Sequence, residues 1–185
     1  QHSSPTRRSS DLRIPDDGLP GTEITVRDRA SMARLRNAFT LMLTMPATPL
    51  IHYGDETGMT GGAEPDNSRV MRFGRQLARH ENELLGHVGR LTTLRQAHPA
   101  LRDGDVTPLL VEDDTYVYLR STFDKRIVVA IHRAPRDRSV ELRLPAWCPD
   151  RRTPQKLIGN HAATIEGDLM RFRISGASAS IFHLR

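Results

Sequence analysis

The stretch TPLIHYGDETGMTGGAEPDNSRVMRF (residues 48–73) opens as a short apolar run and breaks at Gly54 into a loop rich in Gly, Asp and Glu. Residues 49–53 have the length and punctuation of a strand. On the N-terminal side, Met32, Leu35, Phe39, Met42 and Leu43 fall on one helical face. Ser31 or Asp28 is placed to cap that helix, and Pro46 and Pro49 to end it. Beyond the loop, Leu77, Leu84, Leu85, Val88, Leu91 and Leu94 form a second stripe, stopped by Pro99 and Gly104. Helix, strand, loop, helix is a piece of an α/β pattern. One strand and two apolar-faced helices close no core, and a parallel sheet needs both faces covered. Residues 13–103 are therefore expected to dock on something absent from this chain, leaving much of both stripes exposed.

From about Val106 the hydrophobic period changes from that of a helix to that of a strand. Val140, Leu142 and Leu144 alternate with Glu141 and Arg143; Met170, Phe172 and Ile174 alternate with Arg171 and Arg173. Thr115–Ser121, Arg126–His132 and Ser178–Leu184 also read as strands, with Asp124 and Lys125 suited to a hairpin turn between two of them. Five to eight strands over roughly 80 residues predict a small antiparallel β-sandwich over residues 104–185. The expected fold class is α/β plus all-β.

The 185 residues fit one domain or two small ones. Apolar content is 37%, and no run approaches the ~18 apolar residues of a membrane-spanning helix. Cys148 is the single cysteine, which excludes an internal disulfide framework and favours a cytoplasmic over a secreted location. The net charge is +5. Cations and anions are interspersed, no nucleic-acid motif is present, and neither a nucleic-acid nor a membrane partner is expected.

The N-terminal string HSSPTRRSSDL (residues 2–12) is polar and has no apolar segment after its arginines, so it is not a signal peptide. It resembles one reading frame of a common sequencing-library adapter, with Ser4 where the adapter gives Phe. Residues 1–12 are accordingly expected to be a non-native tail, with the native gene extending upstream of Arg13.

Asp55, Glu56, Glu64 and Asp66 follow the expected strand, where α/β barrels place their chemistry. Glycosidases need two carboxyls facing one sugar bond. Asp55 and Glu56 are adjacent, and adjacent residues on a strand point to opposite faces. Spacing alone favours these acids capping turns or pairing with Arg69, Arg72 and Arg75. For metals, His80, Glu81 and His87 resemble H-E-x-x-H, but Leu84 stands where the second ligand belongs. No metal and no cofactor is expected, and Cys148 and Trp147 read as packing residues.

Taken as a whole, MLTMPATPLIHYGDETGMTGG followed by EPDNSRVMRF resembles the end of the catalytic barrel in the α-amylase family, glycoside hydrolase family 13. The nearest likeness is to its neopullulanase- and cyclomaltodextrinase-like members and related bacterial α-amylases. Their seventh barrel helix leads into a strand of the type G-x-P-x-I-Y-Y-G-[DE]-E, then a loop of the type D-P-D-x-R-R-P-M-R-[WF] and the eighth helix. LTTLRQAHPALRDGD (residues 91–105) is similar to the end of that helix. The departures are Ala47 for Gly, His52 for the first Tyr, Glu64 for Asp, Ser68 for the first Arg and Val70 for Pro.

The resemblance implies residues 13–103 to be the last helix–strand–helix of a truncated (β/α)8 TIM barrel, closed by the sandwich. It implies that Glu64, Asp66 and Arg69 line glucose subsites away from the scissile bond. The family's three catalytic acids lie on the fourth, fifth and seventh strands, the last in an N-H-D motif that does not precede Met32 here. This chain is thus expected to hold no catalytic residue. The parent enzyme is expected to hydrolyse α-1,4-glucosidic bonds of an α-glucan, maltooligosaccharide or cyclodextrin with retention. The competing reading is a non-enzymatic carbohydrate-binding or structural sandwich, with Trp147 or Tyr116 stacking on sugar.

Overall fold

The computed structural model describes residues 29–60, 70–148 and 153–184. Three helices come first: α1 (Arg29–Thr44), α2 (Arg79–Ala97) and the one-turn α3 (Pro99–Arg102). Eight strands follow: β1 (Asp105–Val111), β2 (Thr115–Ser121), β3 (Arg126–His132), β4 (Arg138–Arg143), β5 (Gln155–Ile158), β6 (Ala163–Glu166), β7 (Leu169–Ile174) and β8 (Ser178–Leu184). They form an antiparallel five-stranded sheet, β1-β2-β3-β8-β5, and a three-stranded sheet, β4-β7-β6. The β2–β3 turn closes with Thr122 N–H donating to the Lys125 carbonyl at 2.9 Å, placing Asp124 and Lys125 in the hairpin.

The two sheets face each other across one core. Val117, Leu119, Val128, Ala130 and Phe182 point inward from the large sheet. Val140, Leu142, Met170, Phe172 and Ile174 meet them from the small one. Strands β4 and β7 bury alternate residues and leave Glu141, Arg171 and Arg173 outside, which is why their sequences alternate. Strands β2, β3 and β8 are buried on both faces, so the run at 127–131 is continuously apolar.

The second face of the large sheet is covered by the helices. Tyr118, Ile127, Val129 and Ile181 share a core with Met32, Phe39, Leu43, Leu84, Val88, Leu91 and Leu101. This corrects the expectation that the helical stripes would lie open: they bury their apolar face on the sandwich itself. Burying each such side chain contributes about 1.5–3 kcal/mol, which favours this packing over exposure. Leu85 is a further correction. It is exposed on the far side of α2, because it follows Leu84 by one residue and is turned some 100° from it.

Three other local expectations change. Residues 48–52 carry no sheet pairing among the described residues, and Asp55–Thr57 is a 3₁₀ turn instead of a strand end. An extended segment becomes a strand only with a neighbour to accept and donate its backbone hydrogen bonds; none of the eight strands lies beside this one. Ser31 is inside α1, which begins at Arg29, so it is not the cap. Pro99 does not stop α2 so much as start α3, the position where its missing N–H costs nothing.

Candidate functional site

The segment after α1 is built by a sharp change of direction. The helix ends at Thr44, and Ala47 then takes φ 119°, a region that favours glycine. Gly54 takes φ 87° and Gly58 φ 72°, on either side of the 3₁₀ turn. Gly54 is needed for its backbone angle, and a Cβ there would also meet Met59 Cε at 2.8 Å. The turn is tied internally: the Met59 N–H donates to the Gly54 carbonyl at 2.9 Å, and the buried Thr57 Oγ1 donates to the same carbonyl at 2.8 Å. Gly58 rests on Leu35, Leu84 and Met32, so the turn sits on the α1–α2 layer.

Asp55 and Glu56 are therefore on a 3₁₀ turn. Consecutive residues there are about 120° apart, so the pair again does not converge on one point. An Asp55 carboxylate oxygen accepts from the His52 N–H at 3.3 Å, and Glu56 Oε2 is enclosed without a hydrogen-bond partner among the described residues. Several apolar side chains of the described parts of residues 50–73 are exposed. Leu50 is 83% exposed and Val70 87%, with Ile51, Tyr53 and Phe73 also exposed. Glu64, Asp66 and Arg69, the residues expected to face sugar, lie outside the described residues, as does Ser68.

Of the acids expected to pair with Arg72, Glu64 and Asp66 lie outside the described residues, and within the described residues Arg72 reaches α2. Its guanidinium meets the buried Glu81, Nη2 to Oε1 at 2.5 Å and Nη1 to Oε2 at 3.2 Å. Glu81 also accepts the Ala78 N–H at 2.5 Å at the start of α2. Burial alone pushes the Glu81 carboxyl up. The Arg72 hydrogen bonds, the Ala78 N–H and the Arg72 charge outweigh it and hold the group below the usual carboxylate range. Glu81 thus serves as helix cap and ion-pair partner, which anchors the end of the 70–73 segment to α2. His87 is buried in α2 with Nε2 3.1 Å from Thr40 Oγ1. Among the described residues no three His, Cys, Asp or Glu side chains gather as metal ligands.

Two arginines that the sequence did not single out lie behind this segment. Arg95 on α2 donates from Nη1 to the carbonyls of Leu43 (2.9 Å), Met45 (3.0 Å) and Leu101 (2.8 Å), and from Nη2 to that of Ala47 (2.5 Å). Arg120 on β2 is fully buried and donates to the carbonyls of Thr44, Leu101 (3.1 Å), Gly104 (2.7 Å) and Asp105 (3.3 Å). Burial and the nearby Arg95 charge pull the Arg120 guanidinium down from its usual range. Tyr118 Oη hydrogen-bonds Thr44 Oγ1, and burial pushes that phenol up to about 12. The signal for these arginines was weak in sequence, because Arg120 sits on an inward position of an otherwise apolar strand whose second buried face was not foreseen.

A separate cavity of about 600 Å³ opens between α1, α2 and the β5–β8 edge. Arg36, Asn82, Glu83, His87, Arg90 and Asn160 line it, and among the described residues none from 48 to 73 does. Trp147 is 52% exposed in the turn after β4, and Tyr116 is half-buried with its ring 4.9 Å from that of Tyr118.

No protein-family model matches the chain. It is 37% identical over 105 residues to a maltogenic α-amylase of Bacillus acidopullulyticus, a match taking in 55% of this chain and 18% of that protein. It is 32% identical over 114 residues to a cyclomaltodextrinase of Geobacillus thermopakistaniensis, covering 60% of this chain and 19% of the relative. The chain therefore spans under a fifth of either relative. Among solved structures, it superposes on an α-amylase of Geobacillus thermoleovorans complexed with acarbose with a TM-score of 0.73 and 29% identity, over 83% of this chain and 33% of that one. A debranching enzyme of Nostoc punctiforme gives a TM-score of 0.67 at 26% identity, over 82% of this chain and 31% of the other.

Proposed function

We propose, on the premise that the chain is homologous to one part of the glycoside hydrolases of the α-amylase family, that it is a piece of a retaining α-glucan hydrolase. In this reading residues 13–103 are the last helix–strand–helix of a (β/α)8 barrel, and the β-sandwich closes it. The observation that carries the reading is the run of ordered blocks from Met32 to Asp105, with the 37% identity to a maltogenic α-amylase behind it. The exposure of the apolar side chains Leu50, Ile51, Tyr53, Val70 and Phe73 supports it physically. A mainly apolar segment without a sheet neighbour among the described residues, flanked in sequence by two packed helices, is what remains when the adjoining strands of a barrel are not part of the chain.

The parent enzyme would act on α-1,4 bonds of maltooligosaccharides or related glucans. An Asp nucleophile, a Glu acid/base and an assisting Asp would sit on strands outside this chain. Glu64, Asp66 and Arg69 would contribute hydrogen bonds to glucose hydroxyls on the eighth-strand rim. Such contacts hold sugar without touching the bond that breaks, so they act on binding more than on turnover.

Reading the native gene upstream of Arg13 tests this directly. Three acids on preceding barrel strands, the last in N-H-D, are the expected result; an upstream sequence without them would overturn the reading. The purified chain alone is expected to release no reducing sugar from starch or cyclodextrin. Measurable hydrolysis would show that it holds catalytic residues of its own. In the complete enzyme, Asp66→Asn and Arg69→Gln are expected to raise KM about tenfold with little change in kcat; a loss confined to kcat would remove them from the rim.

A further inference from the structure

We infer that Arg95 and Arg120 form a clamp through which the β-sandwich sets the position of residues 45–60, the near end of the sugar-facing rim. The inference depends on the proposed function only for what that rim contacts; the clamp itself is a matter of geometry. A buried guanidinium normally demands a carboxylate. No ion pair joins either arginine to a carboxylate among the described residues, and the hydrogen bonds they donate there go to backbone carbonyls. Those carbonyls belong to the last turn of α1, the bend after it, the end of α3 and the entry to β1. Those of Leu43, Thr44 and Leu101 are groups a helix leaves without partners at its C-terminus, and the negative end of the helix dipole points the same way.

The arrangement joins three layers. Arg95 reaches from α2 across to residues 43, 45 and 47, so it grips both the end of α1 and the strained Ala47. Arg120 reaches from the large sheet to Thr44, with Tyr118 on the same strand bonded to the Thr44 hydroxyl. Both share the Leu101 carbonyl. A positive φ at a non-glycine residue persists only where its surroundings over-determine it. Four carbonyl contacts from a forked, rigid donor supply that constraint, and a lysine could not reproduce the fork. The chain therefore leaves α1 in one direction, set by a residue of α2 and a residue of the sandwich. A positioning residue of this kind touches no substrate.

Hydrogen exchange of the 185-residue chain separates positioning from general stability, using Arg95→Lys, Arg120→Lys and the milder Tyr118→Phe. Amides at residues 54–59 are expected to exchange at least about tenfold faster in Arg95→Lys, while β4 and β7, on the far sheet, keep parent rates. Tyr118→Phe retains both arginines and is expected to give a smaller increase confined to the same segment. Uniform acceleration across β4, β7 and 54–59, or unchanged rates at 54–59 in every variant, would overturn the inference. Should either lysine variant not fold, Tyr118→Phe decides by the same readout. A gene without upstream acids would sink the enzyme reading and leave this exchange result untouched.

Discussion

Ala47 shows how a single departure from a pattern becomes physical. The family-like strand begins with Gly where this chain has Ala, and the backbone there has φ 119°. An L-residue in such a region carries about 1–3 kcal/mol of strain. Replacing it by Gly removes that strain and returns about 0.5–1 kcal/mol of chain entropy to the unfolded state. Ala47→Gly is thus expected to stabilise the chain by about 1 kcal/mol, read as a higher urea midpoint at unchanged slope. A lower midpoint would mean that the bend is not strained.

Two titrations act on stability at the same scale. His87 is pulled below its ordinary 6.5 first by burial, then by the Arg90 and Arg36 charges, against an opposing hydrogen bond with the Arg36 backbone. Its neutral form is favoured in the fold, so its contribution is complete above pH 6.5 and is lost as pH falls through the lowered value. Glu81 is held below 4.5 against its burial, so its contribution is complete above pH 4.5 and is lost on further acidification. Tm is expected to fall in both windows. His87→Gln should flatten the upper one and Glu81→Gln the lower; an unchanged profile in either variant would remove that group from the account.

At the scale of elements, strands were legible where one face meets water. The alternation in β4 and β7 and the turn at Asp124 and Lys125 read directly, and the spans of β2, β3 and β8 followed from β-branched and aromatic runs. The apolar run at 127–131 carries a further signal. Continuous burial means a sheet covered on both sides, and the helical stripes were the only other apolar faces available to cover it. Residues 49–53 failed as a strand for the complementary reason: composition proposes a strand, but pairing makes one. The candidate sugar-facing residues rested on resemblance to a family pattern, since Glu64, Asp66 and Arg69 have no periodicity to place them. The clamp arginines were not legible, because nothing local distinguishes a buried Arg from a solvated one. The adjacent leucines of α2 test the packing. Leu84→Ala is expected to cost about 2–5 kcal/mol, since it leaves a cavity between α1, α2 and the bound turn. Leu85→Ala, on the exposed side, is expected to cost under about 1 kcal/mol. Denaturant unfolding of both decides it, and equal costs would contradict the assigned face.

For the whole molecule, the decisive relation is between the helices and the large sheet. If the sandwich were a self-contained binding module, residues 104–185 would fold and stay monomeric without the helices. The structure gives that piece a heavy burden. Removing α1–α3 uncovers Tyr118, Ile127, Val129 and Ile181 on one face and strips Arg120 of the Thr44 and Leu101 carbonyls. A contiguous apolar face of that kind drives association, and a buried guanidinium deprived of acceptors costs several kcal/mol in a domain whose total margin is about 5–15. Residues 104–185 alone are therefore expected to bind a hydrophobic dye and self-associate on size exclusion, whereas residues 29–185 bind less dye, with the remainder centred on the 50–53 and 70–73 segments. A monodisperse, cooperatively folding 104–185 would reverse this conclusion and restore the sandwich as an independent module. In that event Trp147→Ala becomes the next discriminating substitution, since its half-exposed ring is a platform suited to stack on a sugar.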